Sequence, residues 1–127
     1  MGQGRATIDI ARSADEVWGI IGNFGGLSSW MPGVESCVLD GQERRISMMG
    51  MEIVERLITH DDPTRTFSYS IIGGFKVDHH VGTIQVLDAD GGARIYWDVD
   101  VEPDQMVEMM TGVYQGALDA LRSHLTG

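Results

Sequence analysis

The sequence predicts an α+β fold: seven strands in an antiparallel meander, covered by one long C-terminal helix, with two short helices after the first strand. Three observations lead there. Strand-sized segments between residues 34 and 101 are divided by short turns, and strands joined by short turns pair antiparallel. Residues 103–125 repeat apolar side chains at helical spacing. A capping-box pattern, Ser13 followed by Glu16, opens a short helix near the N-terminus. The 127 residues suit one domain, 1–127.

The elements follow in order. RATIDIA (5–11) alternates apolar and polar and reads as a strand. After the capping box, Val17, Trp18, Ile20 and Ile21 line one side of a short helix that Gly22 is placed to end. NFGGLSSWMPGV (23–34) spaces Phe24, Leu27 and Trp30 for a second helical element, which its glycines make short or irregular. Six strands are then expected over 34–39, 44–49, 52–60, 66–72, 76–87 and 93–101. They end at turn chemistry such as DGQ, DDPT, Gly73-Gly74 and DADGG. In the last helix Met106, Met110, Val113, Ala117 and Leu121 form a stripe flanked by Tyr114, Leu118 and Leu125, and Pro103 suits its start. Such a helix must bury its stripe on the sheet. Gly112 and Gly116 are expected to permit close approach to that sheet rather than dimerisation.

Composition excludes several classes. Nine basic against nineteen acidic residues give a net charge of −10, the opposite of what phosphate binding needs, so no nucleic-acid partner and no stable membrane association are expected. No basic-then-apolar leader opens the chain, and the default expectation is cytoplasmic. The single Cys37 reads as a small buried thiol, since no Cys–His signature surrounds it. Gly25-Gly26 follows a helix and lacks a Lys-Ser/Thr, so it is no phosphate loop. No zinc motif, nucleophile elbow or dinucleotide fingerprint is present, and neither metal nor cofactor is expected.

SADEVWGIIGNFGGLSSWMPGV, VERLITHDD, TFSYSI, VDHHVGTIQV, ARIYWDVDV and YQGALDALRSHL together resemble the START-like helix-grip superfamily. More narrowly, the chain is similar to the bacterial polyketide cyclase/dehydratase and lipid-transport group of SRPBCC type. The resemblance implies a curved seven-stranded antiparallel sheet gripping the long helix, with a deep apolar cavity between them. It also implies a small hydrophobic partner such as a lipid, hormone or polyketide. Two functions are compatible with it. One is a cofactor-free cyclase/dehydratase-type enzyme that works by positioning and acid–base chemistry. The other is a non-catalytic carrier. A filled gap with no cavity is the third possibility, and an exposed sheet edge leaves a homodimer open.

Strand alternation places the candidate residues, because side chains change faces with period two. Ile95, Trp97, Val99 and Val101 share one face, as do Phe67, Tyr69 and Ile71, and Ile84 and Val86. Carried back along FKVDHHVGTIQV, that phase puts His80 and Asp78 inside and His79 outside with Val77 and Val81, unless a bulge near Gly82 shifts it. Adjacent strand residues cannot converge on one ion, and His60 and His124 sit in no ligand-spaced motif. An inward His80 has its pKa lowered by desolvation, which suits a neutral base. The plainer reading is a core histidine satisfied by one hydrogen bond.

Glu55 has two readings. On the inner face it joins His80 for acid–base work; otherwise it makes a surface salt bridge to Arg44 or to neighbours of Arg56. The catalytic candidates are thus His80, Tyr69 and Glu55. Met48, Met49 and Met51, and Met106, Met109 and Met110, form two clusters of a side chain that suits adaptable pockets and also fills ordinary cores. The ligand-binding candidates are Trp30, Met48, Phe67, Tyr69, His80, Trp97, Met106 and Met110.

Overall fold

Residues 2–126 are described by a computed structural model. The chain runs β1 (Gly2–Ile10), α1 (Ala14–Ile21), a 3-10 helix (Phe24–Ser29), β2 (Val34–Asp40), β3 (Glu43–Met48), β4 (Met51–Asp61), β5 (Thr66–Gly73), β6 (His79–Ala89), β7 (Gly92–Glu102) and α2 (Met106–Thr126). The strands form one curved antiparallel sheet in the order β1-β7-β6-β5-β4-β3-β2. From β2 to β7 each strand neighbours the next, as short turns require, and β1 pairs with β7 over its whole length. Helix α2 packs on β1 and β7. Helix α1 and the 3-10 helix close the remaining inner face, burying Val17, Trp18, Ile21, Phe24 and Leu27.

Local chemistry accounts for the element ends. The Ser13 hydroxyl accepts the Glu16 N–H at 3.1 Å, the cap that starts α1. Gly22 ends that helix with an ordinary right-handed backbone, so a left-handed cap is not its reason. A Cβ there would stand 2.7 Å from the Trp18 ring, whose indole N–H reaches Asp62 at 2.9 Å. Strand β6 begins at His79 rather than at 76, and Asp78 before it only donates its N–H to the Glu102 carbonyl. Helix α2 begins three residues after Pro103, behind a turn in which Met106 and Val107 donate to the carbonyls of Pro103 and Asp104.

One expectation about the helix is corrected. Gly112 and Gly116 are exposed, with open space where a Cβ would be. The glycines that allow close approach belong to the strand. A Cβ on Gly4 would stand 2.7 Å from the Val107 and Thr111 side chains, and one on Gly2 would stand 2.6 Å from Val107. Strand β1 therefore starts earlier than its alternation suggests, as a smooth edge on which α2 lies.

Candidate functional site

The register stacks inner-face residues in rows across the sheet. Ala6, Trp97, Ile84, Phe67 and His60 make one row. Gly4, Val99, Gly82, Tyr69 and Leu57 make the next. A third holds Gly2, Val101 and His80 on one side and Ile71, Glu55 and Arg44 on the other. The sequence phase holds from His79 onward, where β6 and β7 pair without a bulge to Ala89; ahead of the strand it fails, with Asp78 exposed and Val77 packed against the core. His80 is buried, while His79 points to the other face beside Asp100.

The third row contains a break. Strands β5 and β6 pair only from Thr66–Gln85 to Tyr69–Gly82. Beyond that the ladder stops, and the Ile71 N–H that would continue it donates to His80 Nδ1 at 3.1 Å. Ser70 Oγ likewise donates to the His80 carbonyl. The imidazole stands in for a strand's acceptors where the two strands part. Because Nδ1 accepts, the neutral ring carries its proton on Nε2. That N–H faces the Tyr114 hydroxyl at 3.4 Å. Burial, with a smaller contribution from His79, lowers the His80 pKa to about 4, so the ring is neutral at ordinary pH.

Tyr114 joins a buried polar group under α2. Its ring stacks on Trp97 with centroids 4.0 Å apart and planes 3° from parallel. Trp97 Nε1–H donates to Tyr69 Oη at 3.0 Å, and the Tyr69 hydroxyl lies 3.4 Å from that of Tyr114. Gly82 makes room for this: it lies opposite Tyr69, and a Cβ on it would stand 2.5 Å from Tyr69 Cζ. Burial holds both phenols above their ordinary range. Trp30, at the end of the 3-10 helix, packs its ring 5.9 Å from that of Trp97, and its indole N–H is buried without a partner among the described residues.

Glu55 lies inside, which corrects the surface reading while keeping its partner. Arg44 Nε and Nη2 both donate to Glu55 Oε1, at 2.9 and 2.6 Å, across directly paired positions of β3 and β4. Arg44 Nη1 donates to the Phe24 carbonyl, and the guanidinium sits 4.0 Å over the Phe24 ring. Burial raises the Glu55 pKa, against the opposing pull of Arg44.

Of the remaining candidates, Met48, Phe67 and Met110 are buried and Met106 is half-buried. Arg44, Tyr114 and Gly82 were not among them. Two had a readable signal: Arg44 alternates with Ile46 and Met48, and Tyr114 follows Met110 by one helical turn. Buried side chains, among them the stacked Trp97 and Tyr114, occupy the gap between sheet and helix. A depression of about 700 Å³ lies instead on the opposite face, lined by Arg5, His79, Val81, Thr83, Asp98 and Asp100 among others. Its charges pair with one another, Arg5 with Asp98 at 2.6 Å and His79 with Asp100 at 3.8 Å, and it opens to solvent. The inner cluster is the better candidate, because there polar groups are held in apolar surroundings. Among the described residues no three His, Cys, Asp or Glu side chains gather as a metal site. Among them also, no helix is long and apolar enough to cross a membrane.

A curved antiparallel sheet gripping one C-terminal helix, with buried polar groups between them, defines a helix-grip protein of the hydrophobic-ligand-binding class. Residues 1–126 match the family model described as polyketide cyclase/dehydrase and lipid transport, and the chain belongs to that family. No curated protein matches the chain. Among solved structures it is similar to the protein XoxI from Bacillus cereus, with 28% identity, a TM-score of 0.93, and 98% of this chain and 95% of that one covered. An uncharacterized protein from Bacillus thuringiensis is similar at 26% identity and a TM-score of 0.92, covering 99% of this chain and 100% of that one. A START superfamily protein from Mycobacterium smegmatis shares the fold at 14% identity and a TM-score of 0.80, with 99% and 100% covered.

Proposed function

We propose that the protein binds a small hydrophobic or aromatic molecule between the concave face of the sheet and α2, against Trp30, Tyr69, His80, Trp97 and Met110. The carrying observation is the buried Tyr69–Trp97–Tyr114–His80 cluster beside the place where β5 and β6 part. A core that served only stability would gain more from apolar side chains, since each buried polar group costs desolvation. A ligand enters as the Trp97–Tyr114 stack separates, which requires the first half of α2 to shift. Native mass spectrometry of protein purified from its own host tests the reading. An apolar small molecule retained at one per chain is expected. A ligand-free mass, together with no thermal shift across a panel of hydrophobic metabolites, would overturn it.

A second reading, a cofactor-free enzyme of the cyclase/dehydratase kind, uses the same residues. The His80 lone pair is tied to Ile71, so here His80 acts as a hydrogen-bond donor through Nε2 to a substrate oxygen instead of as a base. Glu55, with its pKa raised by burial, is the base, and Tyr69 positions the substrate. A retained molecule recovered unchanged favours the carrier; conversion on incubation favours the enzyme. In the second case His80→Ala and Glu55→Gln each lower turnover by about 100-fold or more, and wild-type rates in both variants would remove these roles.

A further inference from the structure

The buried polar cluster has more donor hydrogens than acceptors. Trp97 Nε1–H, the two tyrosine hydroxyls and His80 Nε2–H are four donors, and they share only three contacts. His80 Nδ1 cannot relieve the excess, because the Ile71 N–H already occupies it. However the hydroxyls turn, one tyrosine proton has no acceptor among the described residues. Trp30 adds a second such proton. The residue is 9% exposed, and its Nε1–H, a donor that can never accept, is buried without a partner. Both surplus donors adjoin the Trp97 ring, Tyr114 by stacking and Trp30 at 5.9 Å. An unmade buried hydrogen bond is costly, so such a surplus marks where an acceptor is to be met.

The charges narrow the class further. Every contact of the Arg44 guanidinium is made within the protein, to Glu55, the Phe24 carbonyl and the rings of Phe24 and Tyr69. A ligand carboxylate would therefore stand near Glu55 without a cation of its own. An ammonium group would add donors to a site already in excess of them.

We propose that Trp30 and the Tyr69–Tyr114 pair select neutral apolar ligands carrying an oxygen acceptor, a ketone, ester or quinone carbonyl, with Trp30 Nε1–H as a donor to that oxygen. The inference rests on the reading that the sheet–helix gap admits a hydrophobic ligand. It goes beyond that reading by naming the polar group the ligand carries and the residues that sense it.

Four probes of one shape test it by calorimetric titration: acetylnaphthalene, isopropylnaphthalene, naphthoate and naphthylmethylammonium. The ketone is expected to bind about tenfold more tightly than the hydrocarbon, in line with one buried hydrogen bond, and more tightly than either ion. Trp30→Phe is expected to remove most of the ketone's advantage, read as the ratio of ketone to hydrocarbon affinity within the same variant. In the unsubstituted protein, the Trp30 indole N–H resonance should move downfield with the ketone and not with the hydrocarbon, a readout that does not depend on the variant folding. Equal affinity of ketone and hydrocarbon, tighter binding of either ion, or an unmoved Trp30 resonance would overturn the inference and leave hydrophobic binding standing. If none of the four binds, the ligand-binding reading fails and takes the inference with it.

Discussion

The Ile71 N–H donates to Nδ1 of His80 across 3.1 Å, at the point where β5 and β6 cease to pair. A side chain thus completes a strand's hydrogen bonding, and in doing so fixes which imidazole nitrogen carries the proton.

Burial of that imidazole makes stability depend on pH. His80 titrates near 6.5 in the unfolded chain and near 4 in the folded one. Between these values the unfolded chain holds a proton that the folded chain does not. Stability is therefore lost as pH falls from about 6.5 to about 4, by about 3 kcal/mol from this residue. His80→Asn keeps an acceptor near Nδ1 and does not titrate. Urea unfolding across that range should give a flatter profile for the variant, and parallel profiles would exclude His80 as the cause.

Gly82→Ala should destabilise the fold by about 1–3 kcal/mol. Its Cβ would stand 2.5 Å from Tyr69 Cζ and 2.6 Å from the hydroxyl, so the ring must leave Trp97 Nε1. The Trp97 indole N–H resonance should move upfield in the variant. An unchanged resonance would mean the ring has room that the register does not provide.

The buried Arg44–Glu55 pair should behave as a coupled unit. Removing one charge leaves the other desolvated, so Arg44→Met or Glu55→Met alone costs about 3–5 kcal/mol. The double variant Arg44→Met with Glu55→Met should recover most of that loss. Additive single effects in the double-mutant cycle would show that the pair is not coupled.

Gly112→Ala and Gly116→Ala should each raise stability, by about 0.4–1 kcal/mol. Both positions are helical and exposed, with nothing within 4 Å of a Cβ. A fall in thermal midpoint would show that this face of α2 is covered in solution.

Period-two and helical spacing are enough to place most of these residues. His80, Phe67, Tyr69 and Trp97 lie inside because each sits in a strand with one clearly apolar face. Glu55 was ambiguous because β4 carries a charge on both faces, and only its pairing with β3 identifies the inward one. The α2 glycines face solvent, and spacing alone does not say which side of a helix meets the sheet. Strand β1 begins before its alternation is legible, because Gly2 and Gly4 carry no side chains to alternate.

The amino-acid sequence by itself determined the order of strands and helices, the turns, and the face of each strand with a consistent apolar phase. All of these depend on residues a few positions apart. Tertiary structure alone decided the cross-strand partners: Tyr69 over Gly82, Arg44 against Glu55, and the imidazole of His80 in the gap beside Ile71. Those contacts join residues from separate strands, and their geometry follows from sheet register and curvature, which no local pattern encodes.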